Sequence, residues 1–63
     1  MMYAKYVQLR DAKGVTDKAV ASATNIPPST FTDWKQGRSE PKLAKLLKIA
    51  QFFGVSLDDL IKD

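Results

Sequence analysis

Apolar residues recur along this chain at helical spacing, and no segment alternates apolar and polar positions as a half-buried strand would. Helix 1 is predicted from about Met2 to Lys13, with Met2, Tyr6 and Leu9 on one stripe. Gly14 ends it, because glycine adopts the left-handed backbone of a helix stop. Thr16 is suited to cap helix 2, and Asp17 suits the positive end of its dipole. Helix 2 covers Asp17 to Thr24, with Val20 and Ala21 facing inward, and Asn25 closes it. Pro27 is held extended by the proline after it, so helix 3 starts at Pro28 and Gly37 closes it. Helix 4 is predicted from about Lys42 to Phe53, with Leu43, Leu46, Leu47, Ala50 and Phe53 inward, and Gly54 ends it. Ser56 caps helix 5, with Asp59 three residues on, and Leu57, Leu60 and Ile61 are its core residues.

The expected fold class is therefore all-α: five short helices whose short connections pack each on its neighbours. With 63 residues, positions 1–63 read as one domain near the lower size limit for folding unaided. There is no cysteine and no histidine. Disulfides and thiolate metal sites are excluded, and the commonest general base is missing. Stability must come from helix packing. No apolar run approaches a membrane span, and the start "MMYAKYVQLR" lacks a signal peptide's apolar block. These features read as a cytosolic protein.

Catalysis is not expected. No phosphate loop is present, and Asp58 and Asp59, adjacent on a helix, point in different directions. They suit the first turn of helix 5. No metal site or cofactor is expected.

Charge changes the picture through its distribution. The net charge is +3. Lys35, Arg38, Lys42, Lys45 and Lys48 lie in one stretch with Glu40 as the single acid. Asp58, Asp59 and Asp63 crowd the other end with Lys62 as the single base. The basic stretch could meet a polyanion, with the acidic end turned away. On composition alone, lysines spread over solvated helix faces are the favoured reading.

Helices 2 and 3, joined by Asn25 to Pro27, form a short helix, tight turn and second short helix. At about 100° per residue, Pro28, Ser29, Thr32, Asp33 and Gln36 share a sector of roughly 140°. Thr30, Phe31 and Trp34 lie opposite. A helix needing only solubility would favour Glu and Lys outward. Small hydroxyls are poorer helix residues but donate and accept at base edges.

The segments "LRDAKGVT" (9–16), "STFTDWKQGRSEP" (29–41) and "LLKIAQFFGVSLDDL" (46–60), in this order and spacing, resemble the lambdoid phage repressor and Cro (XRE-type) helix-turn-helix family. The resemblance implies a five-helix DNA-binding domain, with helix 3 in the major groove and helix 2 across the backbone. It places Pro27, Pro28, Ser29 and Asp33 where the family reads bases, with Thr32 beside them on the same face. It places Thr16 and Asp17 at the helix 2 start, where backbone amides hold a phosphate. Arg38 and Lys42 flank a second backbone contact, with Gln36 on the same helix face and Lys35 and Lys45 more peripheral. The implied partner is double-stranded operator DNA. The implied protein is a bacterial or phage-encoded cytoplasmic transcriptional regulator, a repressor, bound as a homodimer to two half-sites. The chain could equally be the N-terminal part of a longer repressor.

Three departures from the family follow. Pro28, Ser29, Thr32 and Asp33 replace the long bidentate readers common at these positions, so phosphate-led affinity with modest discrimination is expected. Asp17 stands where relatives usually carry glutamine; it is expected to support only the helix start, and Asp17→Gln to tighten DNA binding. Many relatives pair an arginine at position 10 with a glutamate at position 35. Here Arg10 and Lys35 are both basic, so Arg10 needs water or another acid, and Lys35 is free to point outward.

Two acids on the face meant for DNA support a rival reading, a protein-interaction module on the same fold. Most aromatics sit at core spacing, which leaves little for base stacking. Phe52 turns away from the main stripe of helix 4 and is a candidate contact, either in a dimer or against the rest of a longer protein.

Overall fold

The computed structural model describes residues 3–62 and contains five helices. They are α1 (Tyr3–Lys13), α2 (Asp17–Thr24), α3 (Pro28–Lys35), α4 (Leu43–Phe53) and α5 (Leu57–Ile61). Met2, expected on the first stripe, and Asp63 of the acidic end lie outside the described residues. α2 packs on both α3 and α4, and α5 packs on α4 and α1. Among the described residues no helix is long and apolar enough to cross a membrane.

The boundaries follow the predicted stops. The Thr16 hydroxyl accepts the Ala19 amide at 3.1 Å, and the Ser56 hydroxyl accepts the Asp59 amide at 3.1 Å. Each occupies one donor that a helix start leaves over. Asn25 is left-handed at φ 61° and closes α2 by donating its amide to the Ala21 carbonyl. Pro27 is extended (φ −59°, ψ 138°) and Pro28 takes the first helical position of α3.

The core combines Tyr6, Val20, Ala21, Ile26, Phe31, Trp34, Leu46, Ile49, Ala50 and Leu60. The Tyr6 and Phe31 ring centroids are 5.4 Å apart, and Phe31 meets Trp34 edge-on at 4.9 Å. Ile26, in the turn between α2 and α3, is buried and pins that turn down. Thr24 is also buried, with its hydroxyl donating to the Val20 carbonyl at 2.6 Å, so its polar group is satisfied.

Helix 4 differs from expectation. Ile49 is fully buried, whereas Leu43 and Leu47 are 60% and 42% exposed. The stripe facing the core is Leu46, Ile49, Ala50 and Phe53, at the i, i+3, i+4, i+7 spacing. Leu47 lies about 100° round from Leu46. Leu43 sits in the first turn, beyond the cover of the other helices. On α5, Leu60 is fully buried but Ile61, the last helical residue, is 44% exposed.

Candidate nucleic-acid interface

α3 is held from inside by Phe31 and Trp34, both nearly sealed from solvent. Its opposite face presents Pro28, Ser29, Thr32 and Gln36 exposed and Asp33 partly so. The expected division of faces is therefore present. Pro27, just before the helix, is exposed as well.

Asp33 does not stand alone. Arg38 donates to its Oδ1 through Nε at 3.0 Å, and Nη2 lies 3.0 Å from the same oxygen. The chain reverses at Gly37 (φ +73°), a left-handed turn that favours glycine. The Arg38 amide then donates to the Asp33 carbonyl at 2.9 Å. The acid on the outward face of α3 thus carries its own counter-charge.

Asp17 is more engaged than a helix-start acid would be. Its Oδ1 accepts the Tyr6 hydroxyl at 2.6 Å and Arg10 Nη1 at 3.1 Å. Arg10 also reaches Asp11, with Nε and Nη2 each 3.1 Å from Oδ1. The partner that Arg10 needs is therefore Asp17, with Asp11 beside it. The expectation that Asp17 supports only the start of α2 is corrected: it ties α1 to α2. Burial on its own would raise the Asp17 carboxyl. The hydrogen bonds from Tyr6 and Arg10, with the charges of Arg10 and Lys35, outweigh that and hold it below its ordinary value. Burial first, then the hydrogen bond to Asp17 and its charge, push the Tyr6 phenol up.

At the start of α2 the Thr16 hydroxyl caps Ala19, and the Val20 amide bonds the Thr16 carbonyl at 3.0 Å. The amides of Asp17 and Lys18 have no intrachain partner among the described residues. An open groove between α2 and α3 brings together Asp17, Lys18, Thr32, Lys35 and Gln36, with Tyr3 of α1 at its side. Lys18 and Tyr3 were not among the expected site residues. Lys18 follows directly from Asp17 and faces the same groove, but nothing in its spacing marks it out. Tyr3 is brought there only by the packing of α1, its ring 5.4 Å from that of Tyr6.

The basic residues at the end of α3 and after it differ in exposure. Lys35 and Lys42 are exposed, Lys42 as the extended residue before α4, and Lys45 is partly buried. Phe52 is half-buried, 5.1 Å from the Phe53 ring, with the Lys13 ammonium 5.2 Å above it.

Comparison with known proteins places this geometry in a family. The Helix-turn-helix family model matches residues 8–60. The chain is 29% identical over 63 residues to the cryptic phage CTXphi transcriptional repressor RstR of Vibrio cholerae, covering 100% of this chain and 57% of that protein. It is 30% identical over 57 residues to the HTH-type transcriptional activator BcrR of Enterococcus faecalis, covering 90% of this chain and 28% of that protein. It is 31% identical over 55 residues to the HTH-type transcriptional regulator DdrOP3 of Deinococcus deserti, covering 87% and 43%. In each case the chain spans less than two thirds of the relative's length. No solved structure matches the chain significantly. The family match over most of the chain, on five helices in which α2 and α3 form the helix-turn-helix, means that this chain belongs to the helix-turn-helix family, of the phage-repressor (XRE) type.

Proposed function

We propose that the chain binds double-stranded DNA as the reading part of a bacterial or phage transcriptional regulator. α3 enters the major groove and the start of α2 lies against the backbone. One observation carries this reading: α3 turns an aromatic side into the core and a row of small polar groups outward. Pro27, Pro28, Ser29 and Thr32 meet base edges. Thr16, the amides of Asp17 and Lys18, and Lys35, Gln36, Lys42 and Lys45 lie where phosphates pass. The likeness to a phage repressor along all 63 residues supports repression as the output. That output is blockage of a promoter by a homodimer on two half-sites about 34–36 Å apart.

The dimer needs an uncovered apolar surface. Leu43, Leu47 and Ile61 offer more of it than Phe52, whose ring packs on Phe53. The rival reading, a protein-interaction module, drew on Asp17 and Asp33. Both acids are paired with arginine, so neither sets a bare negative charge against DNA.

Duplexes selected by the protein from a random pool, titrated against a scrambled duplex over a range of salt, test the proposal. We expect preference for the selected duplex. Log affinity should fall against log salt with a slope of about −0.9 for each phosphate contacted. Equal binding of selected and scrambled duplexes at every salt concentration removes sequence reading. Binding of neither removes DNA altogether.

A further inference from the structure

We propose that Arg38 reads guanine in the major groove and that Asp33 is the positioning residue that aims it. This rests on the DNA-binding reading above.

Asp33 and Ser29 are four residues apart, on one row of the outward face of α3. The left-handed turn at Gly37 folds the chain back. Arg38 therefore lays its guanidinium against Asp33 rather than leading away from the helix. The two nitrogens that meet Asp33, Nε and Nη2, form one side of the planar fork. The Nη1 end has no protein partner among the described residues, and Nη2 keeps a second proton. That free edge presents two parallel donors, the pattern that matches guanine O6 and N7.

Two further observations favour a recognition role over a structural one. The side chains of the pair are 60% and 43% exposed. Ion pairs at such sites add little to stability, so the fold does not need this one. The remaining outward groups of α3 are proline, serine, threonine and glutamine. None before Gln36 can present two donors to one base, and Arg38 supplies that function from the next turn of chain. Holding the fork in place before DNA arrives removes rotamer freedom that binding would otherwise have to remove. It also leaves the Asp33 carboxylate facing a cation, which blunts repulsion from phosphate.

The test uses duplexes selected from a random pool by the wild-type chain and by Arg38→Ala, Arg38→Lys, Asp33→Asn and Asp33→Ala. Far-ultraviolet dichroism and melting establish that each variant is folded. The wild type should enrich one guanine in each half-site. Arg38→Ala and Arg38→Lys should lose roughly ten- to a hundredfold of that preference, with neighbouring positions unchanged. Asp33→Ala should relax the same position by a smaller factor, and Asp33→Asn, which keeps an acceptor for Arg38, less again. Replacing that guanine by 7-deazaguanine should weaken the wild type and leave Arg38→Ala unaffected.

Three results would overturn the proposal while leaving sequence reading intact. Arg38→Ala could weaken every duplex alike and lower the salt slope by about one contact, which marks a phosphate grip. Asp33 variants could change a position that Arg38→Ala leaves intact, which marks Asp33 as a reader of its own. The wild type could enrich a motif with no guanine that depends on Arg38. If the wild type enriches no motif, sequence reading itself fails and this proposal falls with it.

Discussion

The Arg10 guanidinium lies 3.1 Å from the Asp17 carboxylate, joining α1 to the first residue of α2. The same oxygen takes the Tyr6 hydroxyl. Glutamine at position 17 would keep an acceptor but lose the charge, leaving Arg10 with Asp11 alone. We expect Asp17→Gln to cost about 1–2 kcal/mol in urea unfolding, since hydrogen bonds to charged groups are stronger than neutral ones but this site is partly solvated. DNA affinity should fall, because the start of α2 is no longer held. This reverses the tightening expected from the sequence. A variant of unchanged stability and tighter binding would show that the tie is idle.

The ion pair should also be movable. Lys35 is near enough for its charge to act on Asp17. An acid at position 35 should therefore come within reach of Arg10. We expect Lys35→Glu to restore part of the stability lost by Asp17→Gln. The double-mutant coupling should be about 0.5 kcal/mol or more. Strictly additive effects would place position 35 beyond Arg10.

Stability should depend on pH at both extremes through the same cluster. The folded Asp17 carboxyl lies below its ordinary value, so its contribution is present above about pH 4 and is lost as pH falls through the folded value. The loss should be about 1 kcal/mol or less at a side chain 42% exposed, and Asp17→Asn should abolish it. The Tyr6 phenol is raised, so its contribution is present below about pH 10 and is lost as pH rises through the folded value. Tyr6→Phe should flatten that limb. Urea midpoints measured across pH check both signs.

The core assignment in α4 separates residues that look alike in sequence. Ile49→Ala should cost about 2–5 kcal/mol, because a fully buried side chain leaves a cavity. Leu43→Ser should change stability by about 0.5 kcal/mol or less. Comparable losses at both positions would mean that Leu43 is covered, for example in a dimer. In that case the loss would depend on protein concentration.

Local chemistry determined most of what was legible in the sequence. Helix stops, caps and the start of α3 at Pro28 depend on a residue and its immediate neighbours. Thr16, Asn25, Pro28 and Gly54 therefore announce themselves. The two faces of α3 follow from helical periodicity, because Phe31 and Trp34 leave only one side for the polar row. The resemblance to repressors rests on the same spacing, and the family match bears it out.

Packing decided the rest. Which of the α4 leucines is buried depends on how far the neighbouring helices extend, and periodicity alone does not contain that length. Ile26 sits in a turn without a period of its own, yet the α2–α3 crossing seals it. The partner of Arg10 lies seven residues away on another helix, and that of Asp33 lies five residues on, across a left-handed turn. By itself the sequence determined an all-helical frame with a polar outward face on α3 and two acids in an awkward place. Only the tertiary structure decided that each acid meets an arginine, because such pairings depend on where separate helices and turns bring their side chains.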